Sequence, residues 1–94
     1  MKVTGVIWLR TVVDKLLRKH NVTTDEVEEV FNRRPRYRFI EVGDVEGDDM
    51  YSAMGQTDAG RYLIVYFVHK IGDEALIISA RDMTAKERRT YGKK

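Results

Sequence analysis

The first regular feature of the chain is a helical repeat of apolar positions. They fall at Leu9, Val12, Val13, Leu16 and Leu17, and the run closes beside His20. That spacing places one stripe against a core. Asn21 suits the left-handed position just past a helix end. A second helix is punctuated at both ends. Thr23-Thr24-Asp25-Glu26 fits a capping box with Thr23 as N-cap, and Val22 and Val27 are placed to staple the entry. Its apolar face is Val27, Val30 and Phe31. Pro35 disfavours helical backbone in the residue before it, so the helix should end near Arg34.

From Tyr37 onward the period changes to that of strands. Tyr37–Val42, Met50–Gln56, Arg61–His69 and Ala75–Arg81 are separated by an acidic Gly-containing turn, a tight Thr57-Asp58-Ala59-Gly60 turn and a third turn at Lys70–Glu74. The third strand is apolar on both faces, with Tyr62, Ile64, Tyr66 and Val68 on one and Leu63, Val65 and Phe67 on the other. A strand of that kind is central and covered on both sides. Thr84 and Glu87 form another capping box and open a C-terminal helix. Val3, Val6, Ile7 and Trp8 suggest a short opening strand. The expectation is therefore one α+β domain over residues 1–94, with two N-terminal helices, an antiparallel sheet of about four strands, room for a short extra N-terminal strand, and a C-terminal helix.

Composition narrows the class. Apolar residues make up 43% and charged residues 34%, which is globular. The absence of Cys excludes disulfides and thiolate metal sites and favours a reducing compartment. Met1-Lys2-Val3-Thr4-Gly5 has no apolar leader pattern, and no run approaches a membrane span. A cytoplasmic location is expected, without membrane association. The net charge of +2 conceals an uneven distribution. Residues 1–38 hold nine Lys/Arg against five Asp/Glu, residues 39–60 none against six, and residues 61–94 eight against four. Folding this chain can gather a basic surface, which attracts phosphate.

Hairpin geometry suggests where that surface forms. The turn at Thr57–Gly60 brings Gln56 beside Arg61, and the next hairpin returns Arg81 to the same end. Lys86, Arg88, Arg89 and Tyr91 start from there on the last helix. Arginine forks match phosphate oxygens; the competing role for Arg61 and Arg81 is to pair with Asp58, Asp82 or helix carbonyls. A second basic run, Arg33-Arg34-Pro35-Arg36-Tyr37-Arg38, suits contacts to a nucleic-acid backbone with base stacking, or a charge-protected edge strand. His20 and His69 are expected far apart and form no metal set; a helix-end role fits His20 and a strand-end role His69. Asp44, Glu46, Asp48 and Asp49 lack the spacing of a calcium loop and read as a solvated turn.

Laid out in this order, the chain resembles the BrnT family of type II toxins from Trp8 to about Tyr91. The matching pieces are Trp8; Leu17, Lys19, His20 and Val22; Val30-Phe31; Gly55; Gly60-Arg61; Ile78-Ser79-Ala80-Arg81; and Glu87-Arg88-Arg89 with Tyr91. The resemblance implies a RelE-like fold and a metal-independent ribonuclease that stops translation and needs no cofactor. It also implies a cognate antitoxin of ribbon-helix-helix type, with DNA contacted only through the toxin–antitoxin complex. RNA cleavage through the 2′-hydroxyl needs proton transfer and cations around the developing phosphorane. Arg61, Arg81 and Arg88 are the candidates for charge; Glu87, Tyr91, Lys19 and His20 are those for proton transfer. Arg33, Arg34, Arg36, Tyr37, Arg38, Gln56 and Arg89 are the candidates for RNA contact. The chain departs from the family pattern at Leu9–Val12, at Asp49-Met50 and at Leu76, where the family carries charged residues. The departures at Met50 and Leu76 motivate one alternative, a non-catalytic fold that binds RNA or antitoxin; the Arg33–Arg38 run motivates another, a general single-strand binder.

Overall fold

The computed structural model describes residues 1–45 and 47–93. The elements run β1 (Gly5–Ile7), α1 (Arg10–His20), α2 (Thr24–Asn32), β2 (Arg36–Glu41), β3 (Met50–Gln56), β4 (Tyr62–Lys70), β5 (Glu74–Asp82) and α3 (Ala85–Gly92). The strands form one five-stranded sheet in the order β1-β5-β4-β3-β2, with β4 at its centre. The expected opening strand is present, and it pairs parallel to β5 while β2 to β5 are antiparallel. The sheet is therefore mixed. A chain that leaves β1 through two helices before re-entering the sheet can pair its first strand in parallel, which a tight hairpin cannot do.

Local chemistry sets the helix ends. Asn21 closes α1 in left-handed backbone (φ 52°), and its amide bonds back into the last turn. Both capping boxes form: Thr23 with Glu26 opens α2, and Thr84 with Glu87 opens α3. The second helix stops at Asn32 with Arg33 as its C-cap, a little before the position set by Pro35, and Arg34 turns at φ 52° to enter β2.

The main core lies on one face of the sheet. Leu16, Val22, Val27 and Val30 from the helical side pack on Leu63, Val65, Phe67, Ala75, Ile77 and Ala80. Phe31 and Tyr37 meet Phe67 edge to face at 5.3 Å and 6.0 Å. Helix α1 buries less of its stripe than its spacing suggests, since Leu9 and Leu17 remain about half exposed. The other face carries a smaller cluster of Met54, Ile64 and Met83, with Tyr62, Tyr66 and Tyr91 around it. Helix α3 lies over that face and buries no residue fully. Among the described residues no helix is long and apolar enough to cross a membrane.

One irregularity decides which face the end of β5 presents. Pairing runs from Lys70↔Glu74 to Phe67↔Ile77, then shifts so that Tyr66 faces Ser79 and Ile64 faces Arg81. Ile78 is the extra residue of a β-bulge. A one-residue slip sends every later side chain to the opposite face. Below the bulge Ala75 and Ile77 point to the main core; above it Ala80 does, with the exposed Asp82 on the same side, and Ser79 and Arg81 turn to the α3 side.

Arg61 ties the main-core side together. Its Nε donates to Asp82 Oδ1 at 2.8 Å and its Nη1 to Glu26 Oε2 at 3.1 Å. The same guanidinium donates to the carbonyls of Asn21 (2.7 Å) and His20 (3.0 Å), which close α1. One side chain thus satisfies helix-end carbonyls and joins α1, the first turn of α2 and the end of β5. Replacing Arg61 with Met should cost about 2–4 kcal/mol, because it leaves these acceptors without their donor. Urea unfolding checks this: the midpoint should fall with an unchanged slope, and a change within about 0.5 kcal/mol would contradict it.

Candidate nucleic-acid site beneath the C-terminal helix

The α3 face of the sheet holds a hollow of about 290 Å³ between the strands and the helix. Strand β2 contributes Arg38, β3 Ser52, and β4 Tyr66; α3 contributes Lys86, Glu87 and Thr90 from above. Strand alternation explains the set. Arg36 and Arg38 share the face of Ser52 and Met54, with which they pair directly, and Ile64 and Tyr66 continue it across β4.

Arg81 holds two of the lining residues, Glu87 and Tyr66. Its Nη1 donates to Glu87 Oε1 at 2.7 Å and its Nη2 to Glu87 Oε2 at 3.0 Å, a two-pronged ion pair. Nη1 also donates to the Asp82 carbonyl at 3.1 Å, and Nη2 to the Tyr66 hydroxyl oxygen at 3.1 Å. The Arg81 hydrogen bond is the main reason that the Glu87 carboxyl is held at about 2; it outweighs the effect of burial, with help from the Thr84 amide that Glu87 caps. On the other face, the hydrogen bond from Arg61 is the main reason that Asp82 lies below its ordinary value. Burial works to raise Glu26, but the Thr23 amide and Arg61 together bring it below its ordinary value.

The charge candidates therefore occupy two faces. Arg61 and Arg81 share one end of the sheet but point to opposite sides of it, separated by the bulge in β5. The expected meeting of the two arginines across the hairpin does not occur. Arg61 instead pairs with Asp82 and with helix carbonyls, the competing role read from the sequence. Lys19 and His20 end α1 on that side as well, and the His20 carbonyl accepts from Arg61. Glu87 lies on the α3 side with Arg81. Arg88 and Tyr91 are there too, holding the helix: the Arg88 guanidinium lies 4.1 Å from the Tyr62 ring centre, and Tyr91 meets Tyr62 edge to face at 6.0 Å.

The Arg33–Arg38 run is divided in the same way. Arg33 pairs with Asp58, and Arg34 is exposed beyond the α2 end. Arg36 donates to the Thr90 carbonyl at 3.2 Å and lies 5.9 Å from the Tyr91 ring centre. Tyr37 packs against the main-core aromatic group while staying partly exposed, and burial raises its hydroxyl above the ordinary value. Gln56 donates to the Gly60 carbonyl within its turn. Arg89 is exposed on α3. Arg38 and Lys86 flank the hollow, both exposed, and among the described residues neither lies in an ion pair.

Sequence reasoning set Lys86 among the cations gathered on the last helix but overlooked Tyr66 and Ser52 as members of this site. The signal was present for Tyr66, which alternation sets on the face of Ile64, away from Leu63 and Val65. The acidic turn sits at the opposite end of the sheet. There Asp48 pairs with Lys70, and Asp49 accepts from the Gly43 amide at 3.0 Å. Glu46 lies outside the described residues. His69 is at that end too, 3.4 Å from Asp73. Among the described residues no group of His, Asp and Glu is arranged to hold a metal ion.

Comparison with known proteins follows the same lines. A family model described as the ribonuclease toxin BrnT of type II toxin–antitoxin systems matches residues 10–87. The crystal structure of the Brucella abortus ribonuclease toxin BrnT is similar with a TM-score of 0.62 at 17% identity, covering 87% of this chain and 99% of that one. A search of the curated proteins finds no match.

The Arg81–Glu87 pair predicts an acid-sensitive contribution to stability. A carboxyl held at about 2 in the folded protein, against 4.5 ordinarily, stabilises fully above the ordinary value and loses that contribution as pH falls toward the folded one. Urea unfolding of wild type and Glu87→Gln should show a constant gap between about pH 5 and 8 that closes between about pH 4 and 2. A gap independent of pH would contradict the assignment.

Proposed function

The chain belongs to the BrnT ribonuclease-toxin family of type II toxin–antitoxin systems, and from that premise we propose that its substrate is single-stranded RNA bound in the hollow beneath α3. The observation that carries this reading is the pair of cations at its mouth. Arg38 and Lys86 are exposed, flank the hollow and have no ion-pair partner among the described residues. Phosphate-binding side chains need that freedom, since a guanidinium already matched to carboxylates must first give them up. Arg61 fails this condition and is assigned to structure. Arg81 has both Nη groups committed, so its role is to hold Glu87 and Tyr66 in place in the hollow.

The proposed reaction is attack of a ribose 2′-oxygen on the adjacent phosphorus with departure of the 5′-oxygen. Positive side chains meet the charge that develops on the non-bridging oxygens, so cleavage is expected to persist in a chelator. Glu87 is an unsuitable proton carrier near neutral pH, because Arg81 holds it at about 2 and engages both its oxygens. The toxin is proposed to act in the cytoplasm and to be silenced by a cognate antitoxin, for which the ribbon-helix-helix type remains the expectation. Co-expression of the antitoxin should then restore growth arrested by the toxin.

A specific observation supports the non-catalytic alternative. Met50 and Leu76, where the family pattern has cations, both pair with Val68, so the three form one apolar row across the α3 face. That alternative expects RNA or antitoxin binding without turnover. The deciding assay incubates the purified chain with single-stranded RNA in EDTA. Cleavage products support the ribonuclease, and intact RNA supports the alternative. In parallel, Arg38→Ala combined with Lys86→Ala should weaken RNA binding and lower its salt slope by about 1.4, at roughly 0.7 per phosphate contact on a single strand. An unchanged slope would remove the hollow as the binding site.

A further inference from the structure

We infer that Tyr66 is the general acid that protonates the departing 5′-oxygen when RNA is cleaved in the hollow beneath α3. This rests on the ribonuclease reading above and adds to it a residue and a role. The Tyr66 ring lines the hollow, and its hydroxyl oxygen accepts from Arg81 Nη2 at 3.1 Å. That bond occupies an oxygen lone pair and leaves the O–H free to donate. Among the described residues this hydroxyl donates to no protein acceptor. The ring is also placed by the guanidinium, whose centre lies 5.8 Å from the ring centre.

The other groups around the hollow suit the role less well. Glu87 is ionised and doubly bonded to Arg81. Ser52 is almost fully buried. Arg38 and Lys86 are cations suited to holding phosphate. The histidines lie elsewhere: His20 ends α1 on the opposite face, and His69 is at the far end of the sheet. Thr84 Oγ1 accepts from the Glu87 amide and Thr90 Oγ1 donates to the Lys86 carbonyl, so both serve α3; the Tyr66 hydroxyl lines the hollow and donates to no acceptor among the described residues. Arg81 is its positioning residue, with a positive charge fixed where negative charge appears on the phenolic oxygen as the proton leaves.

The step balances. The 2′-hydroxyl gives its proton to water as its oxygen bonds to phosphorus. The bond from phosphorus to the 5′-oxygen breaks, and the electron pair left on that oxygen takes the Tyr66 proton. The phenolate regains a proton from water, leaving a 2′,3′-cyclic phosphate and a free 5′-hydroxyl.

The test compares wild type and Tyr66→Phe on an oligoribonucleotide and on its counterpart with a 5′-bridging sulfur at the scissile position. A thiolate leaves without being protonated, so its departure does not need the acid. Tyr66→Phe should cleave the ordinary RNA roughly 10²–10⁴-fold more slowly than wild type while retaining the wild-type rate on the sulfur substrate. Retained activity on sulfur also shows that the variant is folded with its site intact. Equal loss on both substrates, or no loss on either, would overturn the assignment while leaving the ribonuclease reading in place. Wild type inactive on both would overturn the ribonuclease reading and the Tyr66 role together.

Discussion

The two-pronged pair between Arg81 and Glu87 is the interaction on which the candidate site depends. Helix α3 has no fully buried residue to anchor it. It is held by its capping box, by Arg88 over the Tyr62 ring and Tyr91 edge-on to it, by Arg36 on the Thr90 carbonyl and by this ion pair. Glu87 serves twice, closing the helix N-terminus and gripping the sheet through Arg81. Exposed ion pairs contribute little. This one is partly shielded and bidentate, and it fixes an element that hydrophobic burial does not.

Because Arg81 is committed in this way, the proposed reaction assigns the chemistry of the hollow to its neighbours: Arg38 and Lys86 to hold phosphate, and the Tyr66 hydroxyl to give a proton. A corresponding arrangement on the other face has a structural purpose. Arg61 joins α1, α2 and β5 through the carbonyls of His20 and Asn21 and the carboxylates of Glu26 and Asp82. Two arginines at one end of one sheet thus do different work, and the difference comes from which acceptors each one reaches.

Much of this was legible in the residues. Thr23/Glu26 and Thr84/Glu87 announce helix starts, Asn21 announces a helix end, and the two-sided apolar pattern of Tyr62–Val68 marks the central strand, because each signal is local. Parallel pairing of β1 with β5 depends on the path taken by two intervening helices, so no local pattern records it. The face of Arg81 was hidden for a sharper reason. Register carried unbroken from Lys70↔Glu74 would set Arg81 opposite Leu63, on the same side as Arg61. The bulge at Ile78 inserts one residue and reverses that side. Nothing in Ile77-Ile78-Ser79 announces a bulge, since the alternation is masked where both faces are apolar. Tyr37 has a second side that its neighbours hide: a tyrosine amid arginines suggests stacking on bases, while its place in the strand also packs it against Phe31 and Phe67.

The proposed binding mode sets RNA on the α3 face and not on the face bearing Arg61, and amide chemical-shift mapping with a non-cleavable 2′-deoxy-substituted oligonucleotide distinguishes the two. The shifts should concentrate at Arg38, Ser52, Tyr66 and Lys86 and leave Lys19, His20 and Asn21 unmoved. Shifts centred on Lys19, His20 and Arg61, with the α3 hollow silent, would contradict it.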